Sequence, residues 1–135
     1  MLTIDSNHRQ QIFAYARDAA PSECCGLIGG NGECASSLYP MRNVAANAQV
    51  AYEAAPEDLF AAQRQMRSRS EELLAIYHSH PSSLPIPSRT DLERNYSQEV
   101  VNFIISLKDE SPLLRGWWLN ENSYLELDWY WLLNE

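Results

Sequence analysis

The chain has 135 residues, with 18 Asp and Glu against 10 Lys and Arg for a net charge of −8, and it is 45% hydrophobic and 21% charged. That is the composition of an ordinary soluble globular protein, and the length buries one proper core, so a single domain over residues 1–135 is expected. The acidic balance argues against a nucleic-acid partner, which needs clustered Lys and Arg, and no apolar run approaches the roughly 18 residues of a membrane span.

Met1-Leu2-Thr3-Ile4-Asp5 lacks the basic and apolar regions of a signal peptide, so the cytoplasm is the default location. Asp5 or Ser6 caps a first helix running to about Ala20, with Ile12, Tyr15, Ala16 and Ala19 on one face and Pro21 stopping it. His8 falls on its polar side and receives no role. Residues 24–29 read as a strand, Asn31-Gly32 as a hairpin turn, and residues 33–39 as the partner strand. Three Cys make no disulfide framework, and Cys24 and Cys25 read as small packing residues on opposite faces of that strand. Residues 42–47 are indecisive, and residues 49–54 look like another short strand. Pro56-Glu57-Asp58 opens a second helix with Leu59, Ala62 and Met66 on its buried stripe. Arg64, Arg67 and Arg69 gather at its C-terminus, where the helix dipole accounts for them.

Leu73-Leu74-Ala75-Ile76-Tyr77 has the length and composition of a buried strand. His78-Ser79-His80-Pro81 follows, and residues i and i+2 of a strand share a face, so both imidazoles project side by side. A Pro-rich loop then leads to Ser88-Arg89-Thr90-Asp91, a helix start with Ser88 as N-cap that runs to about Ser97. Two His from a strand end and one Asp from a nearby helix start match a zinc site with three protein ligands and an open fourth position. A surface loop with two solvated histidines and a capped helix is the plainer alternative. Three strands close the chain, at residues 100–107, 113–120 and 124–131. Their aromatics Trp117, Trp118, Trp129, Tyr130 and Trp131 read as alternately buried, with a partner surface as the alternative. Strands grouped around two or three helices predict an α+β fold on a curved mixed sheet.

The pattern H-S-H-x7-S-x-x-D, with Pro21-Ser22-Glu23-Cys24-Cys25-Gly26-Leu27-Ile28-Gly29-Gly30 upstream, resembles the JAMM (MPN+) zinc metallopeptidases, in particular their short bacterial type. The likeness covers most of the chain. It implies a curved sheet with helices packed against it and one zinc per chain, held by His78, His80 and Asp91. Glu23 would be the acid/base acting on the zinc-bound water, and Ser88 would help stabilise the oxyanion. Glu33 and Glu53 compete for the role of Glu23, and a plain N-cap competes for Ser88. The resemblance also implies cleavage after the Gly-Gly tail of a ubiquitin-like sulfur-carrier protein. In place of the Arg-Phe and Asp-Pro stretch usual in bacterial members, this chain has Val50-Ala51-Tyr52-Glu53-Ala54-Ala55-Pro56, so contacts to substrate can differ there. No H-E-x-x-H, G-x-S-x-G or phosphate-binding loop is present, nor the P-C-x-x-C of a zinc deaminase. A non-catalytic scaffold of the same fold, or a zinc protein without turnover, remains the other class. The sequence leaves the oligomeric state open.

Overall fold

The computed structural model describes residues 2–127 and 131–133. A short strand, β1 (Thr3–Asp5), leads into α1 (Ser6–Ala19), which Asp5 caps by accepting the His8 amide at 2.8 Å. Two strands follow, β2 (Cys25–Asn31) and β3 (Cys34–Met41), joined at Gly32, whose φ of +62° meets the turn's need for a left-handed residue. After residues 42–55 comes α2 (Pro56–Ser68), opened by Pro56 with Glu57 and Asp58 in its first turn. Next are β4 (Glu72–His80), α3 (Arg89–Glu93), β5 (Val101–Ser106), β6 (Leu113–Leu119), β7 (Tyr124–Glu126) and β8 (Trp131–Leu133).

The strands form one curled mixed sheet in the order β7-β6-β5-β4-β2-β3-β1-β8. Neighbours are antiparallel except for the parallel pairs β4–β5, β1–β3 and β1–β8. The α+β reading of the sequence holds. Alternation along the central strands sends Ala75, Tyr77, Phe103 and Ile105 to one face, where they pack with Ile12, Phe13 and Ala16 of α1. Ile76, Leu27 and Tyr39 pack on the other face with Ala62 and Met66 of α2. Further along that second face, Ile104, Trp117 and Leu119 pack with Ile86 and Leu92 from the loop and helix after β4. His78 and His80 share the face of Ile76, so the site lies on the α2 and α3 side. Among the described residues, no helix is long and apolar enough to cross a membrane.

Three expectations are corrected. Residues 49–54 form no strand; only Asn43 and Ala54 make an isolated bridge. The Asn43 side chain takes over the hydrogen bonds a ladder would supply, donating to the Ala51 carbonyl at 3.0 Å and accepting the amides of Ala45 and Glu53, each at 3.0 Å. The helix after Ser88 ends at Glu93, short of Ser97, because side chains again replace helix carbonyls. Asn95 accepts the Ser97 amide and Ser97 Oγ accepts that of Glu99. The strand expected over residues 124–131 is two. β6 pairs with Tyr124–Glu126 only, whereas Trp131–Leu133 joins β1 at the far end of the sheet, a parallel pairing with no local sequence sign. Trp117 is buried and Trp118 is 38% exposed, as alternation requires. Trp129, Tyr130 and the side chain of Trp131 lie outside the described residues.

Gly26 sits opposite Tyr77 on β4, and a Cβ at that position would run into the Tyr77 ring. Tyr77 is fully buried, so the ring has nowhere to retreat. Gly26→Ala is therefore expected to lower stability by about 1–3 kcal/mol, the usual cost of overpacking a core. An unchanged urea midpoint for that variant would show that the sheet yields there.

Candidate metal centre

The last residues of β4 place His78 and His80 on one face, as the i, i+2 spacing predicts, and both are buried. Asp91 comes from the first turn of α3 and is buried too. Its position is fixed locally by a reciprocal cap. Ser88 Oγ accepts the Asp91 amide at 3.1 Å, and Asp91 Oδ2 accepts the Ser88 amide at 2.9 Å. The loop between is pinned to the sheet. Ser106 Oγ donates to the Ser83 carbonyl at 2.6 Å, and Trp117 Nε1 donates to the Pro85 carbonyl at 2.9 Å.

These constraints bring three ligand atoms together. His78 Nε2 lies 3.2 Å from His80 Nε2 and 3.2 Å from Asp91 Oδ1, and His80 Nε2 lies 3.0 Å from Asp91 Oδ2. His80 Nδ1 lies 2.8 Å from the Leu84 carbonyl. An N–H donated there leaves the Nε2 lone pair facing the cluster. His78 Nδ1 is buried without a partner, and the ring is instead stacked on Tyr52, with centroids 4.7 Å apart. The imidazoles and Ser88 together hold Asp91 well below the usual carboxylate range, against the opposing effect of its burial.

Glu23 reaches the same face from a different strand. Cys25 pairs with His78, so continuing the antiparallel register sets Glu23 across from His80. The chain is held there on both sides. Ser79 Oγ accepts the Cys24 amide at 2.7 Å, the Glu23 amide donates to the Ala48 carbonyl at 2.7 Å, and Asn43 Nδ2 donates to the Glu23 carbonyl at 3.0 Å. The Glu23 side chain is buried and its Oε1 has no hydrogen-bond partner. Burial, then the negative charge of Asp91, pushes its pKa from 4.5 up to about 8, with His80 opposing. Glu33 and Glu53 are both exposed. Cys24 packs into the α1-side core, and Cys25 Sγ faces the Met41 carbonyl at 3.6 Å. Burial raises these thiols to about 11 and about 12, which leaves them as packing groups.

Sequence reasoning gave no role to Ser79, Asn43, Tyr52 or Trp117, which hold the pieces of the site together. The Ser between two His was a usable sign for Ser79, since alternation turns it away from the imidazoles toward the sheet's other face. Asn is a common residue for local backbone bonding, a weaker sign for Asn43. Nothing local marks Tyr52 or Trp117.

A family model described as prokaryotic homologs of the JAB domain matches residues 5–120. The chain is 36% identical over 99 residues to the desampylase of Haloferax volcanii, covering 69% of this chain and 71% of that one. It is 38% identical over 84 residues to the probable TtuB-protein conjugate cleaving protease of Thermus thermophilus, covering 62% of this chain and 56% of that one. The solution structure of a Desulfitobacterium hafniense protein superposes with a TM-score of 0.88 at 26% identity, over 100% of this chain and 94% of that one. A JAB1/MPN domain protein from Archaeoglobus fulgidus has the same fold, with a TM-score of 0.60 at 18% identity over 99% of this chain and 97% of that one. The chain belongs to the prokaryotic homologues of the JAB domain, and it is a hydrolase of the short JAMM/MPN type.

Proposed function

We propose that this chain is a zinc peptidase that cleaves the amide bond after the C-terminal Gly-Gly of a ubiquitin-like sulfur-carrier protein, with one zinc held by His78, His80 and Asp91. The observation that carries this reading is the convergence of three buried candidate ligand atoms beside the buried Glu23, whose Oε1 has no hydrogen-bond partner. The donor set fits the metal. Tetrahedral zinc with bonds of about 2.0–2.1 Å needs ligand atoms about 3.3 Å apart, and these lie 3.0 to 3.2 Å apart. Three protein ligands also leave a position open, which suits catalysis better than a closed structural site. The relatives named a desampylase and a protein-conjugate cleaving protease support the substrate class.

When bound, zinc supplies Lewis acidity at the scissile carbonyl and eases ionisation of water at the site. Glu23 Oε1 takes the proton of the attacking water and later delivers it to the leaving nitrogen. The water oxygen bonds to the carbonyl carbon, the C–N bond breaks, and the products are a Gly-Gly carboxylate and a free amine. The burial that raises the pKa of Glu23 favours the protonated acid, whereas a nearby cation favours the carboxylate, so one group can serve in both directions. Ser88 is an N-cap and is also available to the reaction. Its oxygen accepts the Asp91 amide, which leaves the hydroxyl hydrogen free to meet the charge developing on the substrate oxygen.

Mass spectrometry on three substrates tests the reading: a carrier-Gly-Gly-cysteine adduct, the same adduct with Ala-Ala, and a tail-only peptide. Only the first should turn over well, because glycine permits close approach and the carrier's folded surface positions the tail. Equal rates on all three would make the chain a general peptidase. No cleavage of any, with zinc bound, would favour the non-catalytic scaffold.

A further inference from the structure

The two imidazoles of the centre are held in different ways. His80 Nδ1 lies 2.8 Å from the Leu84 carbonyl, the orienting hydrogen bond that a metal-ligating histidine ordinarily gives from its second nitrogen. His78 has no such bond. Its Nε2 faces His80 and Asp91, so Nδ1 is the nitrogen left to carry the proton, and Nδ1 is buried without a hydrogen-bond partner among the described residues. A ligand in that position needs another restraint, because a turn of the ring about Cβ–Cγ carries Nε2 out of the cluster.

Tyr52 is placed to supply it. Its ring stacks on that of His78, with centroids 4.7 Å apart and planes 26° apart, within the range of favourable offset stacking. Turning His78 would drive its edge into the Tyr52 face. The backbone of Tyr52 is bracketed by one side chain, since Asn43 Nδ2 donates to the Ala51 carbonyl at 3.0 Å and Asn43 Oδ1 accepts the Glu53 amide at 3.0 Å. The same Nδ2 donates to the Glu23 carbonyl at 3.0 Å, which ties this loop to the segment that carries the buried acid. Tyr52 also lines an apolar cavity of about 360 Å³ with Leu27, Leu59 and Ile76, and a small cleft at Asp91 with Thr90. Any apolar side chain can wall a cavity, whereas stacking needs an aromatic plane, and that difference separates positioning from filling.

We infer that Tyr52 is a positioning residue for His78, its ring replacing the hydrogen bond that His78 Nδ1 lacks, with Asn43 fixing the backbone on either side of it. This rests on the reading of His78, His80 and Asp91 as zinc ligands and adds to it a residue that does not itself touch the metal.

The test measures the zinc affinity of the full chain by competition with a chromophoric chelator, and the visible absorption of the cobalt-loaded protein. Tyr52→Leu keeps apolar bulk and removes the plane. It should weaken zinc binding by about 10- to 100-fold, the usual cost of losing a partner that orients a ligand, and shift the cobalt bands. Tyr52→Phe keeps the plane and should behave as wild type in both measurements. In a His78→Ala background Tyr52→Leu should cost nothing further, because the ring that it positions is gone. Circular dichroism accompanies each variant, and Tyr52→Met takes the place of Tyr52→Leu if the latter does not fold. In the wild-type protein the stack is read directly, as His78 ring protons shifted upfield of those of His80 in the NMR spectrum. Four results each overturn the positioning role and leave the ligand assignment standing: wild-type affinity in Tyr52→Leu, an equal loss in Tyr52→Phe, an equal further loss in the His78→Ala background, or unshifted His78 protons. A wild-type chain that takes up no zinc removes the ligand assignment and this inference with it.

Discussion

Glu23→Gln is expected to keep the fold and the metal and to lose most of the hydrolysis, by roughly 10² to 10⁴ in rate, the usual worth of a placed general acid/base. Glutamine has nearly the volume of glutamate, so the buried pocket on β2's approach stays filled. The backbone bonds that hold residue 23 to Ala48 and Asn43 involve no carboxylate and persist. What disappears is the group that titrates. The unpartnered Oε1 beside the ligand cluster becomes part of an amide that neither takes nor gives a proton. Stopped assays on a carrier adduct, together with zinc content by atomic emission, check this. A wild-type rate would make Glu23 a bystander and turn attention to Glu53.

Metal content should fall at least tenfold in His80→Ala, since loss of a ligand costs no less than loss of the groups that orient one. The variant removes Nε2 from the cluster and also the contact of Nδ1 with Leu84, which helps tie the loop carrying Asp91 to the sheet. Loss of zinc from a collapsed protein would prove nothing, so circular dichroism accompanies the measurement. His8→Ala is the control. His8 sits at the start of α1 against Asp5, away from the cluster, and its removal should leave zinc untouched. Full zinc stoichiometry in His80→Ala would sink the ligand assignment.

Which features were legible in the chain depended on how far apart in sequence the interacting residues stand. The imidazole pair needs only strand alternation, and the placement of Asp91 needs only a helix cap three residues long, so both are properties of residues 78–91 alone. The hairpin at Gly32 and the start of α2 at Pro56 are local in the same sense. Glu23 was legible only through its likeness to a known motif. Its approach to the centre depends on antiparallel pairing of β2 with β4, held by the Cys24 amide on Ser79 Oγ across 55 residues, which no local preference encodes.

The loop of residues 42–55 shows the limit most clearly. Its composition suits a strand, yet one asparagine side chain satisfies the backbone that a neighbouring strand would otherwise have paired. The resulting path sets Tyr52 on His78 and opens the apolar cavity beside it. The C-terminal residues divide likewise. Alternation buries Trp117 and exposes Trp118 as a strand's pleat dictates, but where the chain goes after β7 is a matter of which sheet edge is free. The sequence by itself determined the cluster of His78, His80 and Asp91, because these residues lie within one strand end and one helix turn. Only the tertiary structure decided what surrounds them, because Glu23, Asn43, Tyr52 and Trp117 meet there through long-range pairing and packing that the order of residues does not display.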